Sequence, residues 1–544
     1  MSCVDVNLEV QGVNNLFKSV KQITSSGRLF VPISPPPMNA LRSQKHCTLH
    51  RTARLPLRPS RSFSRDGFKS STSFKEPDHP IFPEATFSAG TGAWVFMKRF
   101  AKLTALGMLA VGATGWTAFE GAHLWVEHVE LAAEMDDEVR RWEWDVEPEN
   151  WASKPDGGTD PGLGYKARHA ARAAWMAVNW GTGQVGSIIA SERGSAGAGM
   201  LNVVDARLAH SEEFLSTAIS LAEGRAVAGK LRPHTLTSLL ARHGAILERM
   251  GSPEYLRHAV TEYERAWAGS LGKGLYAAHI AMRLGDLCRR LGRADDALTW
   301  WDRSVKLATG GAEKLVMPSS PLAQRILTST YISLSAFYAT SGRYQDAQRT
   351  EEGYLNLLRS ITPPQSLATA SSPQALHALF LLHRSSLLSI HLAEVLYAQQ
   401  HPVSIPIQWL TSAADSSERV AFALTGVPLN GANSSLAKSA PPSTDMAALT
   451  TFTQSKSMRK PANSLLRDAR RTAAEAWNLM GLLYESTDAG KALECFERAV
   501  SWAGIGTDDT GRPRIPAEGT LSAEWKLLLK NYARAREAVE RAAS

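Results

Sequence analysis

The stretch RLGDLCRRLGRADDALTWWDRS, residues 283–304, decides the fold of this 544-residue chain. Its first half places Leu284-Gly285 in an apolar pattern of helical period, and Gly292-Arg293 ends that helix. Its second half places Ala297 and Trp301 on one helical face. A small residue where two helices cross lets their backbones approach, and an aromatic residue fills the space beside the crossing. The stretch therefore predicts two packed helices joined by a tight turn.

The same pattern recurs at three further places in the chain. They are Leu240, Gly244, Leu247, Ala259, Tyr263 and Ala266; Tyr331, Leu334 and Tyr338 with the turn Gly342 to Ala347; and Trp477, Met480-Gly481, Tyr484, Ala492, Phe496 and Ala499. Helical hairpins of about 34 residues with this spacing resemble the tetratricopeptide repeat (TPR). Few segments alternate with period two, so the predicted class is all-α, a solenoid of TPR-type hairpins.

The repeat frame gives a domain plan. We expect a TPR-like helical array over 165–426, in which Leu381 to Ala398 and Ile407 to Ala414 form a degenerate hairpin. Residues 427–463, rich in Pro, Ser, Ala, Asn and Lys, are predicted to be a disordered insertion. A C-terminal hairpin and a capping helix are expected over 464–542.

Residues 1–90, at the N-terminus, are predicted to be a disordered, basic targeting arm. Residues 1–99 hold 14 Lys and Arg against 6 Asp and Glu, which accounts for the whole net charge of +8. From Met38 to Lys75 the arm is rich in Arg and Ser, with Asp66 as its single acid, as is typical of a mitochondrial transit peptide. Arg61-Ser62-Phe63-Ser64 resembles a processing site, and translation is expected to start at Met38. A disordered basic tail is the alternative.

The remaining chain is balanced in charge, so it offers no net basic field to a phosphate backbone, and we predict no nucleic-acid binding.

Leu103 to Phe119 is an uncharged run of 17 residues, just long enough to cross a bilayer. Lys98, Arg99 and Lys102 flank one side, and an acidic stretch flanks the other. We therefore predict a transmembrane helix over 98–120 that contacts lipid through 103–119, followed by an acidic juxtamembrane linker over 121–164. The positive-inside rule assigns the basic flank of a membrane helix to the inner side. It therefore places the N-terminus in the matrix and the helical array in the intermembrane space. A buried helix of a soluble protein is the alternative.

Motifs with catalytic potential are weak in this sequence. Residues 181–186 spell G-x-G-x-x-G, but a dinucleotide site needs a strand before the glycines, and Ala170 to Trp180 favours helix. His123 and His128 are five residues apart and do not share a helical face as metal ligands. The four cysteines are scattered. We expect no catalytic residue, cofactor or metal, and a solvated or partner-facing role for the acidic run Glu127 to Glu149.

We therefore expect the chain to function through a protein-binding surface. In a TPR superhelix, fixed positions of each first helix line a concave groove, and the repeat frame maps these positions onto the sequence. The candidate protein-binding residues are Met282, Asp286, Arg289, Ile332, Ala336, Asn478, Leu482 and Glu485. The Lys and Asn pattern that clamps a chaperone carboxylate is missing, so the groove favours loosely ordered apolar segments.

Presequence, single span, acidic stretch and divergent repeats together resemble the TPR-containing adaptor subunits of the mitochondrial i-AAA protease. Gly162-Leu163-Gly164-Tyr165 and Gly181-Thr182-Gly183 also resemble that family. The resemblance implies a non-catalytic subunit that recruits unfolded membrane-protein clients, with an AAA protease subunit and a second membrane adaptor as partners. The alternatives are a TPR import receptor or respiratory-complex assembly factor and, more remotely, a soluble matrix enzyme with a helical domain.

Overall fold

The structure is a computed structural model that describes residues 89–146, 151, 157–181, 187–190, 202–311, 316–361, 370–426, 448–504, 506–507, 513–514 and 524–543. These residues form an all-helical fold with two small antiparallel strand pairs, which confirms the predicted all-α class. The helices are α1 Ala89–Trp125, α2 Asp137–Arg141, α3 Gly164–Trp180, α4 Ala206–Val227, α5 Thr235–Met250, α6 Pro253–Gly269, α7 Gly274–Arg290, α8 Ala294–Ala308, α9 Pro321–Thr340, α10 Tyr344–Arg359, α11 Ser372–Ala398, α12 Ser404–Thr425, α13 Thr450–Thr453, α14 Lys456–Tyr484, α15 Ala489–Trp502 and α16 Glu524–Ala543. The strands are β1 Ser187–Ala190, β2 Asn202–Asp205, β3 Gly506–Thr507 and β4 Pro513–Arg514.

Consecutive helices pack in pairs, α3 with α4, α5 with α6, α7 with α8, α9 with α10, α11 with α12 and α14 with α15. The quoted stretch forms α7 and α8, as predicted, and the short connection between them makes the two helices antiparallel. A Cβ added to Gly285 would lie 2.5 Å from the Trp301 ring, so only glycine fits this crossing. Gly481 meets Phe496 in the same way at 2.6 Å. The spacing recognised in the sequence is therefore a packing requirement.

The two G-R-x-x-D-A turns have the same local structure. Gly292 and Gly342 both have positive φ, which glycine adopts without a steric penalty. The arginine that follows each glycine donates from Nε to an aspartate three residues on, at 2.7 Å for Arg293 and Asp296. At the second turn Arg343 donates to Asp346 at 2.8 Å. Each turn is thus closed by one charge-assisted hydrogen bond.

The core runs through the helical pairs as three successive hydrophobic clusters, centred on α3 to α7, α7 to α11 and α11 to α15. By length and composition, one helix in the described part of the chain, α11, is long and apolar enough to cross a membrane. Its most apolar window is 72% buried within the fold. Burial by α9, α10, α12 and α14 accounts for its composition, as expected of a core helix.

The predicted membrane segment lies in α1, which is longer than predicted and belongs to a separate unit that ends at Trp125. Helix α1 does not reach the mean hydropathy by which α11 qualifies as a membrane-crossing helix. From Trp94 to Phe119 every residue of this helix is exposed, and the exposed set includes Phe100, Leu103 and Leu109. Thr114 and Thr117 donate their hydroxyls to backbone carbonyls of the helix itself. The helix thus presents apolar side chains around its surface and satisfies these two polar groups internally.

The acidic segment after α1 does not behave as the linker predicted from sequence, because residues 126–146 pack across the array. We call these residues the capping strap. Three of its glutamates accept hydrogen bonds from the N-cap serines of three helices that each begin a hairpin. The bonds are Ser320 to Glu143 at 2.5 Å on α9, Ser371 to Glu138 at 2.9 Å on α11, and Ser455 to Glu134 at 2.6 Å on α14. Carboxylates at helix N-termini are stabilised by the helix dipole.

Trp144 anchors the strap in the interior. Its side chain is buried, and Nε1 donates to the Pro373 carbonyl at 3.0 Å. The Arg325 guanidinium lies 4.0 Å from the centre of the Trp144 ring and donates to the Glu143 carbonyl at 2.8 Å. Three of the acidic residues that suggested solvent exposure therefore cap partly buried helix ends.

Two other expectations require correction. The predicted insertion 427–463 is too long, because α13 and the start of α14 lie within it and bury Phe452 and Met458 against the C-terminal core. Its residues 427–447 lie outside the described part. The loop after α3 carries the paired strands β1 and β2, which sequence alternation did not predict. Gly181 is the left-handed C-cap of α3, so a helix and not a strand precedes the glycine motif, whose residues 182–186 are not described.

Candidate protein-binding surface

The structure divides the predicted groove residues by burial. Met282, Ile332, Ala336 and Asn478 are buried, and Met282 and Ile332 belong to the middle hydrophobic cluster. These four side chains therefore contribute to packing between helices. Asp286, Arg289 and Leu482 are partly exposed, and Glu485 is exposed.

The C-terminal helix α16 covers one end of the predicted groove. Asn531 Nδ2 donates to Asn478 Oδ1 at 2.9 Å, and Arg534 forms an ion pair with Glu485 at 2.6 Å. Leu482 packs against the small apolar cluster that contains Ala535. This end of the groove is thus filled by the chain itself, as expected for a helix that closes an array.

At the middle of the array, Asp286 and Arg289 lie on α7 among charged and polar groups. Trp301 Nε1 donates to Asp286 Oδ1 at 3.2 Å. Burial raises the pKa of Asp286, although the positive charges of Arg289 and Arg283 oppose the rise. The aspartate that the repeat frame placed in the groove is therefore held in a largely desolvated setting.

Next to these residues, α9, α10 and α11 bring together Ser335, Glu351 and His391. The Ser335 hydroxyl lies 2.6 Å from Glu351 Oε1 and 3.2 Å from His391 Nδ1. Burial, with a smaller contribution from the positive charge of Arg289, lowers the pKa of His391 to about 4. Burial raises the pKa of Glu351 to about 8, although the Ser335 hydroxyl opposes it. At neutral pH both groups are therefore uncharged.

Three glutamates on three helices complete this region: Glu351 on α10, Glu394 on α11 and Glu475 on α14. We call them the carboxylate seam. Burial raises the pKa of Glu394 well above its usual range, and the proximity of the Glu475 and Glu351 carboxyl groups also raises it. Glu394 also lines a small cavity of about 10 Å³ with Tyr397, Leu410 and Leu483.

This region combines hydrogen-bonding groups of low charge with apolar neighbours. Its partly exposed members His391 and Glu394 offer hydrogen-bonding groups whose charge is suppressed by burial and by neighbouring charged groups. Such groups can pair with the N–H and C=O of an extended peptide without the desolvation cost of full charges. Apolar residues of α11 and α14 lie beside them.

Sequence reasoning reached only part of this region. It placed Asp286 and Arg289 on groove faces by the repeat frame. It missed Glu351, His391 and Glu394, because the repeat frame assigns groove positions to first helices only and was not extended to the degenerate hairpin that contains α11. The signal that marks them is Glu394, the single acidic residue of the core helix α11.

Comparisons with known proteins add no relative. A scan against protein-family models finds no match, and a search of curated proteins finds no significant match.

Proposed function

We propose that this chain is a non-catalytic TPR-type adaptor of the mitochondrial inner membrane. It binds unfolded membrane-protein substrates in the intermembrane space and delivers them to an AAA protease for degradation. The observation that carries the proposal is an array of helical hairpins that follows, in sequence, a 37-residue helix with an exposed apolar surface. The basic Arg- and Ser-rich arm before this helix supports the mitochondrial part of the proposal.

The repeat type is supported by packing. A small residue meets a large aromatic ring at the crossing of α5 with α6, α7 with α8, and α14 with α15, as Gly244 with Tyr263, Gly285 with Trp301 and Gly481 with Phe496. Two turns share the same glycine, arginine and aspartate interactions. Hairpins that repeat one crossing geometry are the building principle of TPR solenoids.

The client class is supported by the region around the carboxylate seam. Uncharged hydrogen-bonding groups beside apolar walls suit exposed peptide backbone with apolar side chains, which unfolded membrane segments present. The protease partner follows from the resemblance in layout to adaptor subunits of the i-AAA protease. No nucleic acid or cofactor enters this proposal.

The test is affinity purification of the C-terminally tagged full chain from gently solubilised mitochondria. We expect an AAA protease subunit and a second membrane protein among the most abundant partners. An equally abundant, identically tagged inner-membrane protein with one span serves as the control. Recovery of import machinery or of respiratory-complex subunits without an AAA protease would favour the import or assembly alternatives and overturn the adaptor proposal.

A further inference from the structure

The hairpin of α5 and α6 holds a group of side chains that the proposed function does not use. His243 lies on α5, and His258 and Glu262 lie four residues apart on α6, where that spacing puts them on one face. One ligand atom from each of the three residues lies within 4.8 Å of the other two. Two imidazoles and a carboxylate are thus gathered at one point between neighbouring helices.

The interior members of this group have polar atoms without hydrogen-bond partners. His243 is 3% exposed and Glu262 is 4% exposed. Neither ring nitrogen of His243, nor Oε2 of Glu262, has a hydrogen bond within the described part of the chain. Buried polar atoms are nearly always hydrogen-bonded, because an unmade bond costs free energy. Here the unbonded Nδ1 and Oε2 face each other at 3.6 Å.

The distances between these atoms fit two ligands of one ion better than a donor and an acceptor. Hydrogen bonds from nitrogen to oxygen span about 2.7–3.2 Å. Two ligands each about 2.1 Å from a tetrahedral metal lie about 3.4 Å apart. His243 Nδ1 and Glu262 Oε2 are 3.6 Å apart, which is close to that spacing. His258 Nε2 lies 3.5 Å from the other carboxylate oxygen, Oε1, and one ligand atom of each residue lies within 4.8 Å of the other two.

The residues around this group provide the outer-shell contacts of a metal site and leave one side of it open to solvent. Glu212 on α4 lies 3.5 Å from the other ring nitrogen of His243, the position of the carboxylate that orients a ligating histidine. Arg265 donates to Glu262 Oε1 at 3.0 Å, which leaves Oε2 free to bind an ion. The side chain of His258 is 48% exposed, so solvent reaches the group from that side.

We propose that His243, His258 and Glu262 bind one divalent transition-metal ion, with Zn²⁺ the best fit to two imidazoles and a carboxylate. Glu212 acts as a positioning residue for His243. The bound ion links α5 to α6 and stabilises this hairpin. The inference does not depend on the proposed adaptor function. An ion pair of His243 with Glu212 and Glu262 and without metal is the competing account, and the experiment separates the two.

The experiment is metal titration of the purified, chelator-treated full chain with Zn²⁺ alone and Co²⁺ alone, followed by calorimetry and by visible absorption of Co²⁺. We expect the chain to bind one equivalent of Zn²⁺ tightly. Co²⁺ should show the absorption of an ion with nitrogen ligands and should be displaced by Zn²⁺. The melting temperature of the chain should rise when Zn²⁺ is added. The decisive variant is His258→Gln, because the His258 side chain is about half exposed and its replacement leaves the packed core in place. His401→Gln, an exposed histidine on a different hairpin, is the matched control.

His258→Gln is expected to weaken Zn²⁺ binding by about 100-fold or more and to abolish the rise in melting temperature. Glu212→Gln is expected to weaken it by about 10–100-fold, as loss of an outer-shell partner does. His401→Gln is expected to bind like the natural chain. Equal Zn²⁺ binding by His258→Gln and His401→Gln, or no tight equivalent in the natural chain, would overturn the proposal and leave an ion pair at this position.

Discussion

At the scale of single residues, the crossing glycines are the positions most sensitive to one methyl group. Gly285→Ala would bring a Cβ to 2.5 Å from the buried Trp301 ring, so the helices must separate. We expect a loss of about 1–3 kcal/mol in the free energy of unfolding, the range found for overpacked cores. Chemical denaturation of the purified chain measures this loss.

Gly353→Ala is the matched control. Gly353 lies within α10, and a Cβ there would contact nothing within 4 Å. Since alanine favours the helix over glycine, this change is expected to stabilise the chain by up to about 1 kcal/mol. Equal effects of the two alanines would contradict the crossing geometry.

Glu351 makes stability depend on pH. The folded carboxyl has a pKa of about 8, raised by burial, whereas the unfolded carboxyl titrates near 4.5. Between these values the unfolded state binds fewer protons, so the free energy of unfolding falls as pH rises. We expect Glu351→Gln to raise it at pH 7.5 by on the order of 2–4 kcal/mol and to change it little at pH 4.5. Denaturation curves at both pH values check this.

The exposed neighbour Glu352 provides the control for this titration. Glu352→Gln is expected to shift stability by less than about 0.5 kcal/mol at either pH. If Glu351→Gln left the slope of stability against pH unchanged, Glu351 would titrate normally in the folded chain and the region around the carboxylate seam would be charged.

Residue patterns predicted the crossings because Gly285 and Trp301 lie on two consecutive helices that are joined by one short turn. The burial of Met282 and Ile332 was harder to foresee, since the same helical face borders both the groove and the adjoining hairpin. The group of His243 and His258 combines two helices, and only the spacing of His258 and Glu262 was visible in one of them.

At the scale of elements, the capping strap is the main feature that sequence did not reveal. Trp144 and the Pro373 carbonyl that it binds are 229 residues apart, and no local pattern reports such a contact. The acidic composition of the strap is shared by solvated segments and by residues that cap helices. The predicted linker was therefore wrong for residues 126–146, for a non-local reason.

The strap can be loosened selectively. Trp144→Ala removes a buried ring, its hydrogen bond to Pro373 and the stacking of Arg325, and we expect a cost of about 3–5 kcal/mol. Hydrogen exchange should accelerate in the strap and at the N-termini of α9 and α11. Met135→Ala, at an 85% exposed position of the same strap, is expected to leave exchange unchanged. Unchanged exchange in both variants would show that the strap contributes no anchoring.

Helix α1 is the element proposed to enter the bilayer. Leu109→Arg places a charge near the middle of its apolar run, at an expected cost of about 2.5–3.5 kcal/mol for insertion. The natural chain should stay with membranes during carbonate extraction, and the Leu109→Arg chain should be partly released. Phe96→Arg, equally exposed at 69% but next to Lys98, is expected to stay membrane-bound because its charge reaches the interface. Release of the natural chain would contradict the anchor.

At the scale of the whole molecule, charge and packing divide the chain into regions with different tasks. All of the net charge of +8 resides in residues 1–99, whereas the remaining residues balance. The neutral remainder holds helical hairpins closed by α16, and buried carboxyl and imidazole groups border its partly exposed surface. In the account proposed above, the arm directs the chain, α1 anchors it, and the array binds unfolded protein.

The measurement that tests this account most directly is the turnover of a misfolded inner-membrane protein in mitochondria with and without the chain. The account predicts that the client is degraded several-fold more slowly without the chain. The same AAA protease should degrade a soluble substrate at an unchanged rate, because an adaptor affects delivery and not cleavage. Equal half-lives of the client in the two kinds of mitochondria would contradict the adaptor function.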